Sequence, residues 1–222
     1  MKIAVIAAGG RSGQAFVEAA LAAGHSVRAG TLHTNHLKAH PKLSIMTCDA
    51  TVEADMENLF QGQDAVASFI GHVKGSTEDV QTVATQNAVN VMQRMGIRRF
   101  VSLTGTGVRS PGDKIPLMDR LLNLAVFTTN PTRVWDGKRH VDVLRKSAAI
   151  DWTVIRVLIL QDSQPRPFEL LEHGPPKWLV SREESAQAAL QVLEQGSFIR
   201  QMPVIGKPTR QKQNADAIGF AP

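Results

Sequence analysis

The 222 residues include 43% hydrophobic and 20% charged side chains, the proportions of a globular chain with one core, which excludes disordered, collagen-like and coiled-coil architectures. The single cysteine, Cys48, excludes an intramolecular disulfide and a cysteine-only zinc site and points to a reducing, cytoplasmic setting. The net charge of +5 concentrates at 94–146, where 11 basic side chains meet 4 acidic ones with few aromatics between them; a phosphorylated cofactor or acidic substrate is expected there, not nucleic acid.

Residues 2–8 read as an apolar strand, and small residues at 12–23 as a helix closed by Gly24. The opening faintly resembles a signal peptide, but Gly9-Gly10-Arg11 ends its apolar core. No apolar run approaches the ~20 residues that cross a bilayer, so no membrane partner is expected. Further strands are expected at Ser26–Thr31, Leu43–Thr47, 64–70, 99–104 and 152–156, with helices at Glu53–Phe60, 78–95 and 134–147.

Strands that alternate with crossover helices predict an α/β chain: a Rossmann-type, doubly wound parallel sheet in three layers, α/β/α. One domain is expected over 1–206, with a polar tail over 207–222. Two stretches break the rhythm. Residues 105–132 are rich in Gly, Pro and Asp around an apolar patch at 115–126, and 161–177 holds four prolines. Ligands bind at the carboxyl ends of strands in such sheets. Both stretches are therefore expected to form the substrate wall, the second within a small irregular carboxyl-terminal region.

After the first strand comes Ala7-Ala8-Gly9-Gly10-Arg11-Ser12-Gly13, running straight into a helix. Such a turn must bring backbone within contact of a pyrophosphate and aim free helix N–H groups at it. Gly10 and Gly13 are spaced like the last two glycines of a G-x-x-G-x-x-G dinucleotide turn. Ala7 holds the first glycine place, a mild departure as long as its φ is negative.

The chain resembles the atypical short-chain dehydrogenases of the NmrA-like, NAD(P)H-binding branch, which includes flavin reductases and biliverdin-IXβ reductase-like proteins. The resemblance runs from Lys2 to about Gly206. It is carried in order by the glycine turn, Gly24-His25-x-Val27, Cys48-Asp49, Asp64-Ala65-Val66, Arg99-Phe100-Val101-x-x-Thr104, Asp151-Trp152-Thr153-Val154-Ile155-Arg156, and Val180-Ser181-Arg182-Glu183. It implies a cofactor site made of Ala8, Gly9, Gly10, Arg11, Ser12 and Gly13, then Thr31, Leu32 and His33, then Asp49 and Ala50. Phe69, Ile70 and Gly71 would pass beside the adenosine ribose, and Thr104 and Lys138 complete the set. Asp49 is expected either on the adenine amino group or as a cap for the next helix.

The branch usually selects NADP through an arginine just after strand two, where this chain has Leu32 and no acidic alternative. Arg11 can reach toward the same phosphate with help from Thr31 and His33, so NADPH is expected, with NAD as the alternative.

Typical relatives use Tyr-x-x-x-Lys, in which the lysine lowers the phenol's pKa so that it passes a proton. This chain has no tyrosine: Lys138 occupies the lysine place, Val134 the tyrosine place, and Thr106 the third, hydroxyl-bearing place. A ketone reduced by hydride needs a positioned acid, whereas flavins, quinones and bilins spread the charge and can take a proton from water. His72, Arg109 and Trp135 are expected to face this small-molecule acceptor; a diffuse basic surface also explains Arg109, Lys138 and Arg139. The expectation is an NAD(P)H-dependent reductase, monomeric or homodimeric. The alternative is a non-catalytic NmrA-like sensor of the dinucleotide that acts through a protein partner. No metal is expected at His33, His36 and His40, which have no carboxylate or cysteine in register. No Gly-x-Ser-x-Gly elbow for a hydrolase exists.

Overall fold

The computed structural model describes residues 1–33 and 36–208. Six parallel strands form the body of the sheet: β1 (Lys2–Ile6), β2 (Ser26–Thr31), β3 (Leu43–Thr47), β4 (Ala65–Ser68), β5 (Arg99–Gly105) and β6 (Asp151–Val157). The helices are α1 (Arg11–Ala22), α2 (Glu53–Phe60), α3 (Val80–Met95), α4 (Leu117–Thr129), α5 (Pro131–Lys146) and α6 (Arg182–Gln195). Four strands of three residues each complete the order: β7 (Ile159–Gln161), β8 (Glu169–Leu171), β9 (Leu179–Ser181) and β10 (Val204–Gly206). The large sheet runs β3-β2-β1-β4-β5-β6-β10-β8, antiparallel only at its β8 edge, while β7 and β9 pair separately.

Alternation along β1 shows how the sheet is covered. Ile3 and Val5 pack toward α1 and α6, among Phe16, Ala20, Ala189 and Leu193. Ala4 and Ile6 point the other way, toward α2, α3 and α5, among Leu59, Met92 and Leu144. A strand apolar at every position after Lys2 is what two covered faces require. The expected Rossmann-type, three-layer architecture is therefore the one observed.

The differences from the expected elements have local causes. Residues 105–132 are not irregular throughout, because α4 forms within them. Its leucines recur at helical spacing, but Leu117, Leu121 and Leu124 are exposed and Asp119 is the one residue that α4 buries, so no apolar face of it packs on the core. α5 begins earlier than the side-chain spacing indicates, with Pro131 in the first turn, where a missing N–H costs nothing. Of the polar tail, residues 209–222 lie outside the described residues.

Candidate functional site

Strand order reverses between β1 and β4, which opens a crevice at their carboxyl ends. The glycine turn rims it. Gly10 caps α1 with no side-chain hydrogen bond, and the first turn of α1 contains no acidic residue that would compete with an anion for its N–H groups. A Cβ on Gly13 would lie 2.4 Å from the Ala7 carbonyl oxygen and 2.8 Å from Ala8 Cα, so only glycine lets the helix start this close to β1. Ala7 has φ 57, in the left-handed region, so its departure from glycine is not mild. The cradle nevertheless closes, with Gly10 N–H on the Ala7 carbonyl at 3.1 Å. Backbone shape and free helix donors thus fit a dinucleotide pyrophosphate.

The other residues expected around a cofactor are spread along the same edge. Ala8 is fully buried and bonded to the Gly30 carbonyl, whereas Gly9 and Ser12 are half-buried and Gly10 and Arg11 exposed. Thr31 is buried at the end of β2, with Leu32 and His33 exposed beyond it. Asp49 does not cap α2: its Oδ1 accepts from Thr51 N–H at 2.9 Å and Thr51 Oγ1 at 2.7 Å, while Val52 is the N-cap. The Ala50 carbonyl receives Asn87 Nδ2 at 3.1 Å. Phe69 packs on Phe16 in a tilted pair with centroids 5.0 Å apart, and Ile70 and Gly71 continue the rim. Arg11 extends to Asp162 Oδ2 at 3.0 Å, beyond β7, and not toward Thr31 and His33. Arg182, first residue of α6, binds the other Asp162 oxygen.

Across the crevice, α5 descends onto the end of β5. Gly137 permits this approach, since a Cβ there would lie 2.9 Å from Thr104 Oγ1. Lys138 is half-buried, its Nζ 4.5 Å from the Trp135 ring centroid, and Phe127 meets Trp135 edge-on at 6.2 Å. Val134 faces the loop after β5, 3.8 Å from the Cβ position of Gly107. Trp135 is 51% exposed and open to a planar partner.

Thr106 and Arg109 are held by a partner that the sequence reading passed over. Asp119, fully buried on α4, accepts from Thr106 Oγ1 at 2.8 Å, Asn123 Nδ2 at 2.8 Å and Arg109 at 2.5 Å. Asn123 also donates to Thr106 Oγ1 at 3.0 Å. The Thr106 hydroxyl is thereby engaged inside the protein. Arg109 offers an acceptor only the part of its guanidinium that Asp119 leaves.

Two more polar groups were missed. His72 Nε2 lies 2.8 Å from Asp136 Oδ2, and Asp136 is fully buried on α5. His140, also fully buried, has Nδ1 3.2 Å from the Gly137 carbonyl and Nε2 3.0 Å from Ser102 Oγ. A carbonyl only accepts, so Nδ1 donates and Nε2 receives the Ser102 hydroxyl. Burial pushes His140 down to about 4, against smaller opposing effects of the Gly137 carbonyl and Asp136. One signal existed: the apolar positions Gly137, Val141 and Leu144 put 140 on the same buried face of α5.

The wall beyond β6 is pinned by buried ion pairs. Arg156, 1% exposed, forks onto Asp113 at 2.5 and 2.8 Å and reaches the Met202 carbonyl at 2.6 Å. Burial would raise the Asp113 carboxyl, but bonds from Arg156 and the Ser110 N–H overcome it and hold it below its ordinary value. Lys177 meets the fully buried Glu184 at 2.7 Å. A groove of about 200 Å³ flanks the glycine turn, lined by Arg11, Gln14, Asp162 and Arg182. A larger one of about 450 Å³ lies against α6 near Arg166 and Phe168 and includes no residue of the turn. The smaller groove touches the glycine turn only through Arg11, and three carboxylates, Glu18, Asp162 and Glu183, also line it. Among the described residues no helix is long and apolar enough to cross a membrane.

A family model described as NAD(P)H-binding matches residues 7–196. No protein among the curated sequences matches the chain. Solved structures share the fold. A short-chain dehydrogenase/reductase from Veillonella parvula, in complex with NADP, superposes with TM-score 0.77 at 18% identity, covering 93% of this chain and 94% of its own. A candidate NADH-flavin reductase from Streptococcus pneumoniae gives 0.72 at 23%, covering 94% and 100%. A candidate epimerase from Bacteroides thetaiotaomicron gives 0.78 at 21%, covering 94% and 98%.

Proposed function

We propose, from the premise that this chain belongs to the NAD(P)H-binding family, that it is an oxidoreductase passing hydride to a conjugated acceptor such as a flavin, quinone or bilin. One observation carries the reading: an intact phosphate cradle at the start of α1 stands in a chain without a tyrosine. A bound dihydronicotinamide supplies the hydride. The N–H groups of Arg11, Ser12 and Gly13 would hold the pyrophosphate, with Phe69, Ile70 and Gly71 along the ribose. The Trp135 face and the Lys138 ammonium would seat an aromatic acceptor with an anionic substituent.

NADPH is the proposed cofactor, with Arg11 leaving Asp162 for the ribose phosphate. Both members of that pair are more than half exposed, so separating them costs less than about 1 kcal/mol. Steady-state oxidation of NADPH with FMN, menadione and a simple ketone tests the reading. It expects turnover of the first two and not of the ketone, and Lys138→Ala should weaken turnover without abolishing it. Ketone turnover alone would contradict it.

The exposed Leu117, Leu121, Leu124 and Phe127 of α4 favour a second reading, a dinucleotide sensor acting through a protein partner. Binding of NADPH with no turnover of any acceptor would select that one.

A further inference from the structure

We propose that His72 donates the proton of this reduction and that Asp136 is its positioning residue; the proposal rests on the reductase reading above. The phenol that relatives place on this helix is replaced by Val134, so the helix supplies no acid and the proton comes from water or from another group in the crevice. His72 stands just past Ser68, the last residue of β4, on the rim of the crevice, and its side chain is only 13% exposed.

Asp136 fixes the imidazole. Its Oδ2 receives Gln81 N–H at 2.9 Å and its Oδ1 receives Thr82 N–H at 3.0 Å, both from the first turn of α3, with Thr82 Oγ1 also on Oδ1. A carboxylate only accepts, and the backbone donors on both oxygens hold that of Asp136 in place. Against that carboxylate His72 Nε2 donates to Oδ2, which leaves Nδ1 for a second partner. Nδ1 has no protein partner among the described residues. Arg133 Nη2 holds the His72 carbonyl at 2.9 Å, so ring and backbone are both tied to α5. Asp136 would cap α3 without His72, so helix capping does not account for these tethers. The charged groups that contact His72 are Asp136 and Arg133 from α5, and Lys74, Glu78 and Asp79 follow it in sequence before α3.

The step balances. His72 Nδ1–H breaks as an O–H or N–H bond forms on the acceptor atom left negative by hydride addition. The acceptor gains two electrons, the dihydronicotinamide is oxidised, and water returns a proton to Nδ1. A conjugated acceptor suits such a donor, because it holds the charge until the proton arrives.

The test uses NADPH and menadione from pH 5.5 to 8.5. The wild-type kcat should fall as pH rises and the imidazolium loses its proton. His72→Gln should lower kcat about 10²-fold at the acid end and erase that limb, with NADPH affinity unchanged within about twofold. Nitrogen-15 NMR of the cofactor-free protein should show Nε2 protonated throughout and Nδ1 titrating. Asp136→Asn should shift that titration and the kcat limb together; because it also touches the α3 cap, the His72 variant decides if it does not fold. An unchanged rate and limb in His72→Gln, or an Nδ1–H tautomer, would overturn the donor role alone. Wild-type protein that binds NADPH but reduces no acceptor would overturn the reductase reading, and the donor role with it.

Discussion

A side chain on Gly13 would collide with Ala7, its Cβ 2.4 Å from the Ala7 carbonyl oxygen, and this close approach shapes the whole turn. Ala7 in turn sits at φ 57, which costs an L-residue about 1–2 kcal/mol. Ala7→Gly should therefore stabilise the protein by roughly 1 kcal/mol and raise Tm by about 2–4 °C, without weakening NADPH binding. A scanning-calorimetry Tm that falls would show that the left-handed conformation is not held in solution.

Cofactor preference can be tested at the surface pair. Asp162 occupies both Arg11 and Arg182. Asp162→Asn should free Arg11 and tighten NADPH by about two- to fivefold while leaving NADH nearly unchanged, because exposed pairs are worth about 1 kcal/mol or less. Arg11→Ala should erase the preference for NADPH. An unchanged ratio of the two dissociation constants in Arg11→Ala would remove Arg11 from the ribose phosphate.

Much of this was legible in the residues. Strands β1, β4, β5 and β6 are short, mainly apolar runs buried over most of their length, whereas the edge strand β3 is not, and the glycine spacing marks the turn. What stayed hidden is the polar interior. Nothing local to Asp136 or Asp119 says that their partners come from elements elsewhere in the chain. His72 is 64 positions from Asp136, and Arg109 is drawn inward by a helix, α4, whose apolar residues follow no buried stripe. Ala7 was read correctly as the departure, but its φ is a property of the closed turn.

Acid should weaken the fold through His140. Its folded pKa of about 4 lies below the ordinary 6.5, so the unfolded chain binds the extra proton between these values. Stability is then full above about pH 6.5 and falls as pH drops toward 4, by up to about 3 kcal/mol. Asp113, held below its ordinary value, loses its contribution in the same direction at lower pH. Urea midpoints at pH 7 and 5 should differ clearly for the wild type and by less for His140→Gln. Equal differences would place the acid sensitivity elsewhere.

Breaking the buried fork between Arg156 and Asp113 should be costly, because the arginine would remain buried and unpaired. Asp113→Ala is expected to lose about 3–5 kcal/mol, whereas Arg156→Met with Asp113→Leu should recover part of it. Chemical denaturation of both variants and of the single variants Asp113→Leu and Arg156→Met checks this. Additive losses in the double variant would mean that the two residues act independently.

The central claim is that the turn after β1 binds a reduced nicotinamide dinucleotide, and the fluorescence of NADPH titrated with protein tests it most directly. The account predicts a saturable change with wild-type protein and its loss in Gly13→Val, whose side chain cannot fit beside Ala7. No change with wild-type protein, with NADH equally silent, would contradict it.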